Sequence, residues 1–278
     1  MKIKDFLRKI KHFFVIERVK PICIPVVQSE MLIGKTALII GGTGGIGFGI
    51  AKSFVRSGCK VILSGTNSDK LDMYRKKLPA DQTKTITLDV LDTSDIHTKI
   101  RSAAKTFGED GQIDILVYSA GVHGGMRFEA ITEDEYDAVL GINLKGMFFV
   151  CQEVASYMKE NGINGHILNV GSASALKPAG TPYEISKWGV RGFTLGLSRE
   201  LIKYGITVNC IAPGPVATSM LNYQEEKGIA MPSNPSKRMA VPEEIGNLAV
   251  FMVSDAGKLI VGDSYYISGG SGTILIDT

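Results

Sequence analysis

The chain has 278 residues, of which 44% are hydrophobic and 21% are charged, close to the average for globular proteins. A chain of this length and composition predicts one large α/β domain or at most two small ones, and excludes a disordered, collagen-like or disulfide-built protein. Of the net charge of +3, residues 1–30 contribute seven basic and three acidic side chains, and the remainder contributes 24 basic and 25 acidic ones. A nearly neutral body argues against nucleic acid as a partner, because phosphate binding needs a concentrated basic face.

Residues 1–20 have the pattern of a basic amphipathic helix. Apolar side chains recur at spacings of three and four, which places them on one helical face: Ile3, Phe6, Leu7, Ile10, Phe13 and Phe14. Pro21 and Pro25 then end the helix. Such a helix either lies on an anionic membrane surface, docks on a partner protein, or packs on its own or a neighbouring subunit. We expect residues 1–30 to be an extension of a domain formed by residues 31–278.

The cysteines and the hydropathy pattern indicate the compartment. The four cysteines contain no CxxC pair and fit no zinc spacing, which predicts single buried thiols, a reducing compartment and no metal site: Cys23, Cys59, Cys151 and Cys210. No run of 18 apolar residues exists, so no transmembrane helix is predicted. Charges at Lys9, Lys11 and Glu17 interrupt the N-terminal apolar stretch, unlike a signal peptide. We expect a cytoplasmic protein, with membrane association through the N-terminal helix as the alternative.

From residue 31 onward, short apolar runs alternate with helical segments. This pattern predicts βαβ units and a doubly wound parallel sheet of about seven strands, of the Rossmann type, in a single domain. The predicted strands are residues 35–40, 60–64, 83–88, 113–118, 166–170, 206–211 and 264–267. The predicted helices are residues 46–56, 68–78, 94–107, 133–159, 182–204 and 242–253.

A glycine-rich turn follows the first predicted strand. Gly41, Gly45 and Gly47 have the spacing G-x-x-x-G-x-G between a strand and a helix. Glycine permits a tight turn and lets the backbone approach a pyrophosphate, to which the helix N-terminus presents free N–H groups. In this context the spacing predicts a dinucleotide site.

The end of the second strand indicates which dinucleotide is bound. A carboxylate there would hold the 2′-hydroxyl of NAD and repel a 2′-phosphate. The residues are Ser64, Gly65, Thr66 and Asn67, with no acidic side chain before Asp69. Hydroxyl and amide donors without a carboxylate favour NADP over NAD, although no arginine is present.

A tyrosine and a lysine lie four residues apart at the start of a predicted helix. Tyr183 and Lys187 therefore share one helical face. A phenol has a pKa of roughly 10, and a neighbouring ammonium is expected to lower it toward the range useful for proton transfer. Ser172 follows the fifth strand, at the sheet edge where ligands bind, and its hydroxyl can donate to a developing alkoxide.

Together these residues resemble the short-chain dehydrogenase/reductase superfamily over residues 32–272, and most closely its 3-oxoacyl-(acyl-carrier-protein) reductase type. The resemblance implies that Tyr183 is the proton donor and that Lys187 binds the nicotinamide ribose and lowers the Tyr183 pKa. It implies that Ser172 holds the substrate oxygen and that Asn143 anchors a water relay to the lysine. Asp89 matches the adenine-contacting aspartate. The implied cofactor-binding residues are Gly41, Thr43, Gly45, Ile46, Gly47, Thr66, Asn67, Asp89, Val90, Ala120, Gly121, Tyr183, Lys187, Pro213, Gly214, Val216 and Thr218.

The sequence departs from the family pattern at several positions. Ile40 replaces the threonine before the first glycine, and Tyr118 and Ser119 replace the two asparagines before Ala120. Eleven residues separate Ser172 from Tyr183, two fewer than is common in the family, which leaves Ser174 as a weaker alternative for the serine role. No proton-transfer group is lost, so an active enzyme is expected.

The resemblance predicts an NADPH-dependent ketoreductase of the 3-oxoacyl type. The alternatives are an NAD-dependent dehydrogenase of a sugar, steroid or small secondary alcohol, and a non-catalytic dinucleotide-binding scaffold protein. The resemblance also implies a homotetramer built on the helices near residues 133–160 and 182–204.

Three further features near the site are open to interpretation. His123 is interpreted as a satisfied or exposed loop histidine rather than a pocket residue, and residues 219–240 as a mobile lid. Lys237, Arg238 and Arg127 are candidates for docking an acidic acyl carrier.

Overall fold

The computed structural model describes residues 28–125, 127–224, 226 and 228–274. The predicted helix over residues 1–20 lies outside this range, and of the extension only a short 3₁₀ turn at Gln28–Glu30 is described. Its membrane or partner contact, and the domain boundary before residue 31, therefore stay predictions.

The described strands form a parallel sheet that is covered on both faces. Their bounds are β1 Thr36–Ile40, β2 Lys60–Gly65, β3 Thr83–Thr87, β4 Ile115–Tyr118, β5 His166–Val170, β6 Thr207–Pro213 and β7 Ser264–Ile267. Within the described residues they form one seven-stranded sheet in the order β3-β2-β1-β4-β5-β6-β7, and every neighbouring pair is parallel. This confirms the predicted doubly wound, Rossmann-type fold.

Helices pack on the two faces of the sheet. Their bounds are α1 Gly45–Arg56, α2 Ser68–Arg75, α3 Ile96–Ala104, α4 Glu133–Leu140, α5 Met147–Glu160, α6 Pro182–Leu201 and α7 Pro242–Met252. Leu38 and Ile40 of β1 join a core with α3, α5 and α6. Ala37 and Ile39 point to the opposite face and join a core with α1 and α7. Because successive strand residues alternate between faces, a strand buried on both sides needs an apolar run, and β1 is buried at every residue and apolar from Ala37 to Ile40.

The long helix predicted over residues 133–159 is interrupted in the middle. A π-helical turn, Gly141–Gly146, joins α4 to α5. The Tyr118 hydroxyl at the end of β4 donates a 2.6 Å hydrogen bond to the Ile142 carbonyl oxygen in this turn. Single π turns inside α-helices occur often at functional sites, and this one contains Asn143.

One helical run of the described residues, Glu133–Glu160, is long and apolar enough to cross a membrane by length and composition alone. Val150, Cys151 and Val154 in this run are buried against the sheet in the core with α3 and α6. We therefore interpret the run as a core helix of the domain.

The topology brings four loops to one edge of the sheet. β1 lies between β2 and β4, so the direction of winding reverses at β1. Ligands of open α/β sheets bind at such a reversal, outside the carboxyl ends of the strands. The segments after β1, β4, β5 and β6 all leave the sheet at this edge, and they contain most of the predicted site residues.

Candidate active site

The turn between β1 and α1 is shaped by close backbone approach. Gly41 has φ +75°, in the region that favours glycine, and a β-carbon on it would lie 2.7 Å from the Ala120 nitrogen. A β-carbon on Gly47 would overlap the Gly41 carbonyl oxygen. Gly44 at the N-cap of α1 supplies no side-chain cap, so the N–H groups of the first turn remain available for an anion. These glycines form the kind of cradle that a pyrophosphate fills.

The segment after β6 packs directly onto this turn. A β-carbon on Gly45 would collide with the side chain of Thr218. One on Gly214 would lie 2.7 Å from the Ser268 carbonyl oxygen. Val216 forms a parallel bridge with Ala240. The structure thus places the predicted Pro213–Thr218 segment against the glycine turn, as a nicotinamide site requires.

The adenosine end of the predicted cofactor site lies along β2 and β3. A β-carbon on Gly65, the last residue of β2, would lie 3.6 Å from the Thr43 hydroxyl oxygen of the glycine turn. Asn67 Oδ1 caps α2 by accepting a 2.8 Å hydrogen bond from the Lys70 N–H, which leaves its Nδ2 donors outside the cap. Thr66 is exposed. After β3, Asp89 is exposed and accepts a hydrogen bond from the Leu91 N–H, whereas Val90 is buried.

Asn143 is fully buried in the π turn and orders the segment after β4. Its Oδ1 accepts from the Val122 N–H at 2.9 Å, and its Nδ2 donates to the Val122 carbonyl at 2.9 Å. Nδ2 also lies 3.1 Å from Ser186 Oγ. The amide therefore binds the Val122 backbone and α6 directly, and its role in a water relay stays a prediction. Gly121 lies beside it, because a β-carbon there would be 3.3 Å from Asn143 Oδ1.

Lys187 is buried at the base of the site. Its Nζ donates a 3.0 Å hydrogen bond to the Val170 carbonyl at the end of β5 and lies 5.6 Å from the centre of the Tyr183 ring. Burial lowers the pKa of Lys187 from 10.5 to about 8, because the charged form is desolvated.

The phenol of Tyr183 does not behave as the sequence alone suggests. Burial raises its pKa above the ordinary value, and the Ser172 hydroxyl beside it acts in the opposite direction. The net direction of the Tyr183 pKa is therefore opposite to the expected lowering, and the effect of the Lys187 ammonium on the phenolate stays a prediction. Desolvation of the phenolate is the largest effect, because both groups lie away from water.

Sequence reasoning misplaced His123. Its ring stacks on the Tyr183 ring, with centroids 4.2 Å apart and planes at 21°. The preference for a satisfied or exposed loop histidine over a pocket residue is wrong, because His123 lines the same cleft as Tyr183. The Asn143 amide fixes the preceding residue, Val122, on both sides. The available signal in the sequence was that His123 lies two residues after Gly121, but a single histidine in a loop carries little information about its position.

The site opens into a cleft with a volume of about 210 Å³. Ser172, Tyr183 and His123 line it together with Ile46 of the glycine turn. The remaining walls are mostly apolar and come from the segments after β5 and β6 and from the C-terminal turn: Gly171, Ala173, Ser174, Lys177, Pro213, Gly214, Pro215, Val216, Thr218, Met220, Leu221, Met231 and Ser271. Thr66, Asn67 and Asp89 do not reach this cleft.

The segment predicted to be a mobile lid is anchored at its base. Ala230 and Arg238 form an antiparallel bridge, and the Ser236 N–H donates to the Gly269 carbonyl at 2.9 Å. Arg238, proposed from sequence as a docking residue, instead forms two hydrogen bonds with the Glu244 carboxylate. That pairing neutralises its charge.

Comparison with known proteins identifies the family of this chain. The profile of the family described as short chain dehydrogenase matches residues 35–228. The chain belongs to the short-chain dehydrogenase/reductase family. It is 31% identical over 247 residues to 3-oxoacyl-(acyl-carrier-protein) reductase FabG of Chlamydia trachomatis, covering 87% of this chain and 99% of that protein.

Two solved structures of the family are also similar to this chain. An actinorhodin polyketide ketoreductase with NADPH has a TM-score of 0.78 and 27% identity, covering 86% of this chain and 98% of that one. A 3-ketoacyl-(acyl-carrier-protein) reductase from Brucella melitensis complexed with NADH has a TM-score of 0.78 and 27% identity, covering 87% and 99%. The protein is therefore an oxidoreductase of the short-chain family that acts on CH–OH groups, in a family whose members bind NAD(P).

The buried lysine generates a stability prediction. Below pH 8 the native protein holds a desolvated ammonium that the unfolded chain keeps in water, and the penalty disappears as the pH rises toward 10.5, where both states are neutral. Because one pKa unit corresponds to about 1.4 kcal/mol, Lys187→Met should raise the free energy of unfolding by about 2–3 kcal/mol at pH 7 and by little at pH 10.

Urea denaturation of wild type and Lys187→Met at both pH values measures this difference. Lys76→Met, which removes an exposed lysine, serves as the control and should change stability little at either pH. An equal effect of Lys187→Met at pH 7 and pH 10 would contradict the assignment of the penalty to the buried charge.

Proposed function

We propose that the protein is an NADPH-dependent ketoreductase of the 3-oxoacyl type. The observation that carries this proposal is that Ser172 and Tyr183 line the same small cleft as Ile46 and Thr218, which belong to the dinucleotide-binding segments. A carbonyl held by the first pair therefore lies next to the site that a nicotinamide would occupy.

The nicotinamide, when bound, supplies the hydride to the carbonyl carbon. Ser172 donates a hydrogen bond to the carbonyl oxygen and stabilises the negative charge that develops there. Tyr183 donates its phenolic proton to the same oxygen, which completes the secondary alcohol. The raised pKa of Tyr183 keeps the phenol protonated before transfer, as a proton donor in the reductive direction must be.

Lys187 and Asn143 assist the reaction without donating the transferred proton. Lys187 would bind the nicotinamide ribose with its ammonium, and a positive charge 5.6 Å from the Tyr183 ring stabilises the phenolate that is left after proton transfer. Asn143 holds Val122 and α6 in register through its amide. It thereby positions His123 and Gly121 at the edge of the cleft.

The cofactor residues divide into two groups by position. The glycine turn and the ends of β2 and β3 would hold the adenosine half: Gly41, Thr43, Gly45, Gly47, Thr66, Asn67, Asp89 and Val90. The nicotinamide half would contact Ile46, Ala120, Gly121, Tyr183, Lys187, Pro213, Gly214, Val216 and Thr218. Thr43, Thr66 and the Nδ2 group of Asn67 lie around the end of β2 with no carboxylate among them, which favours NADPH over NADH.

We also propose that the protein assembles as a homotetramer. A continuous groove of about 740 Å³ on α4, the π turn, α5 and α6 is lined by Leu144, Phe148, Phe149 and Phe193 among others. On α6, Leu195 is 63% exposed, and nothing lies within 4 Å of a β-carbon placed on Gly192 or Gly196. Exposed apolar faces of this size favour association, and a two-fold interface needs such a self-complementary surface.

A cytoplasmic location also belongs to the proposal. Cys59, Cys151 and Cys210 are buried free thiols, as expected in a reducing compartment. Contact of residues 1–20 with a membrane or a partner stays a prediction from their sequence.

Tyr183→Phe tests the reaction. We expect kcat for reduction of S-acetoacetyl-N-acetylcysteamine to fall by about 10²–10⁴-fold, because the proton donor is removed. The dissociation constant of NADPH, measured by fluorescence titration, should change less than threefold. Tyr204→Phe, which alters an exposed tyrosine, is the matched control. A Tyr183→Phe enzyme that keeps a tenth or more of the wild-type kcat would contradict the proposed mechanism.

Gly65→Asp tests the cofactor preference. The new side chain is accommodated, since the nearest atom lies 3.6 Å from its β-carbon position, and it points toward Thr43 in the glycine turn. A carboxylate there repels a 2′-phosphate and accepts from a 2′-hydroxyl, so the NADPH/NADH affinity ratio should fall at least 30-fold. Gly65→Asn, without the charge, should change the ratio much less. Wild-type protein that is stabilised by NADH but not NADPH in thermal unfolding would overturn the preference.

Gly196→Leu tests the proposed assembly. Because the β-carbon position is open, the folded protomer accepts the side chain, while a partner helix packed on α6 would not. Light scattering should give about four times the 30.0 kDa chain mass for wild type and a smaller species for the variant. Met73→Asp, on an exposed position of α2, should remain tetrameric. A monomeric wild-type protein would refute the assembly.

A further inference from the structure

Lys177 lies at the mouth of the substrate cleft, in the loop between the serine and the tyrosine. A 3₁₀ turn, Ala173–Leu176, follows Ser172, and Lys177 is the residue that ends it. Lys177 lines the same cleft as Ser172, Tyr183 and His123. Neither the family motifs nor the proposed reaction assigns it a role.

The lysine is held in place from two sides. The Trp188 indole N–H on α6 donates a 2.8 Å hydrogen bond to the Lys177 carbonyl, which fixes the backbone. Its aliphatic stem crosses the C-terminal turn, where Lys177 Cε lies 3.5 Å from a β-carbon position on Gly272. The ammonium ends 3.5 Å from Ser271 Oγ. Lys177 is exposed, and these contacts hold its backbone and its stem against the C-terminal turn at the edge of the cleft.

The ammonium has no counter-charge in the described part of the chain. No acidic side chain of residues 28–125, 127–224, 226 and 228–274 lies within ion-pairing distance of Lys177. The described residues that line the cleft include no aspartate or glutamate. Arg238 shows the contrast, since its guanidinium is fully engaged by Glu244. A cation without a counter-charge among the described residues, at the edge of a mostly apolar cleft, attracts an anion and disfavours a cation.

We propose that Lys177, with the Ser271 hydroxyl, is an anion-binding subsite, and that the substrate is a compact carbonyl compound with a carboxylate or a phosphate near the reacting carbonyl. This inference rests on the proposed function, and it narrows the substrate class. A free 3-oxo acid meets the description, whereas a neutral ester, a positively charged ketone or the uncharged thioester of the Tyr183→Phe test would bind without this contact.

The dimensions of the site limit how far the anion lies from the carbonyl. The 3₁₀ turn between Ser172 and Lys177, Ala173–Leu176, rises about 2 Å per residue and spans about 6 Å from its first residue to its last. Ser172 and Lys177 both line the cleft, which has a volume of about 210 Å³. Pockets for drug-sized ligands are typically about 300–1,000 Å³. A ligand that touches both Ser172 and Lys177 is accordingly a small molecule.

Two matched pairs of substrates test the effect of the negative charge. One pair tests a carboxylate and the other tests a phosphate. Acetoacetate and methyl acetoacetate differ by a carboxylate, and dihydroxyacetone phosphate and dihydroxyacetone differ by a phosphate. With saturating NADPH, wild-type kcat/KM should be at least tenfold higher for the anion of one pair than for its neutral partner. The preference should decrease as ionic strength rises, because salt screens an exposed charge pair.

Lys177→Met should lower the anion/neutral ratio of kcat/KM by about tenfold, mainly through KM, since the contact is the same in the ground state and the transition state. Lys177→Arg keeps the charge and should retain most of the ratio. Lys258→Met, which removes a lysine on the connection between α7 and β7, is the control for net charge and should leave the ratio unchanged. A wild-type enzyme that uses the neutral partners equally well, or a ratio unaffected by Lys177→Met, would overturn the subsite.

A binding measurement separates this inference from the proposed function. If none of the four compounds is reduced although NADPH binds, the proposed ketoreductase activity on such compounds fails. The subsite is then judged by thermal unfolding of the NADPH complex. Stabilisation by acetoacetate or dihydroxyacetone phosphate that is lost in Lys177→Met supports the subsite, and no stabilisation of wild type by either anion refutes it.

Discussion

The site depends on one steric constraint, the close approach of the glycine turn to the segments that follow β4 and β6. Gly41 leaves room for the backbone at Ala120, and Gly45 leaves room for the Thr218 side chain. A β-carbon at either position would push the turn away from its neighbours. Because these contacts join the ends of three strands, they set the distance between the dinucleotide site and the cleft. The tyrosine, serine and histidine are useful only at that distance.

The chemistry of the site comes from polar groups that the core holds at an energetic cost. Lys187 is desolvated and has a lowered pKa, while Tyr183 has a raised one. Desolvation thus moves the two pKa values apart, and the raised pKa of Tyr183 keeps its phenol protonated as a proton donor. Asn143 is buried without such a penalty, because the Val122 backbone and Ser186 satisfy its amide. The π turn that contains Asn143 is in turn held by the Tyr118 hydroxyl, at a position where family members usually have asparagine.

Much of this arrangement could be predicted from the sequence. All seven strands were predicted to within two residues of their observed bounds. For the central strands the signal is an apolar run, which burial on both faces requires. The glycine turn, Ser172, Tyr183 and Lys187 were identified because the chemistry requires particular residue types at fixed spacing. The π turn was not predicted, since it arises from the Tyr118–Ile142 hydrogen bond between segments 24 residues apart. The stacking of His123 on Tyr183 and the direction of the Tyr183 pKa shift were likewise missed.

The sequence by itself determined the fold class, the family and the residue types of the reaction, because periodicity and spacing are local properties of the chain. Only the tertiary structure decided which side chains share one cleft and how burial alters their protonation. Lys177 illustrates the difference, since in the sequence it is one of the many lysines of the chain and lies in a loop without a recognisable motif. Its position depends on contacts with Trp188 on α6 and with Gly272 in the C-terminal turn. Gly272 lies 95 positions away from Lys177 in the sequence. Desolvation and charge proximity depend on such distant contacts, and no local pattern encodes them.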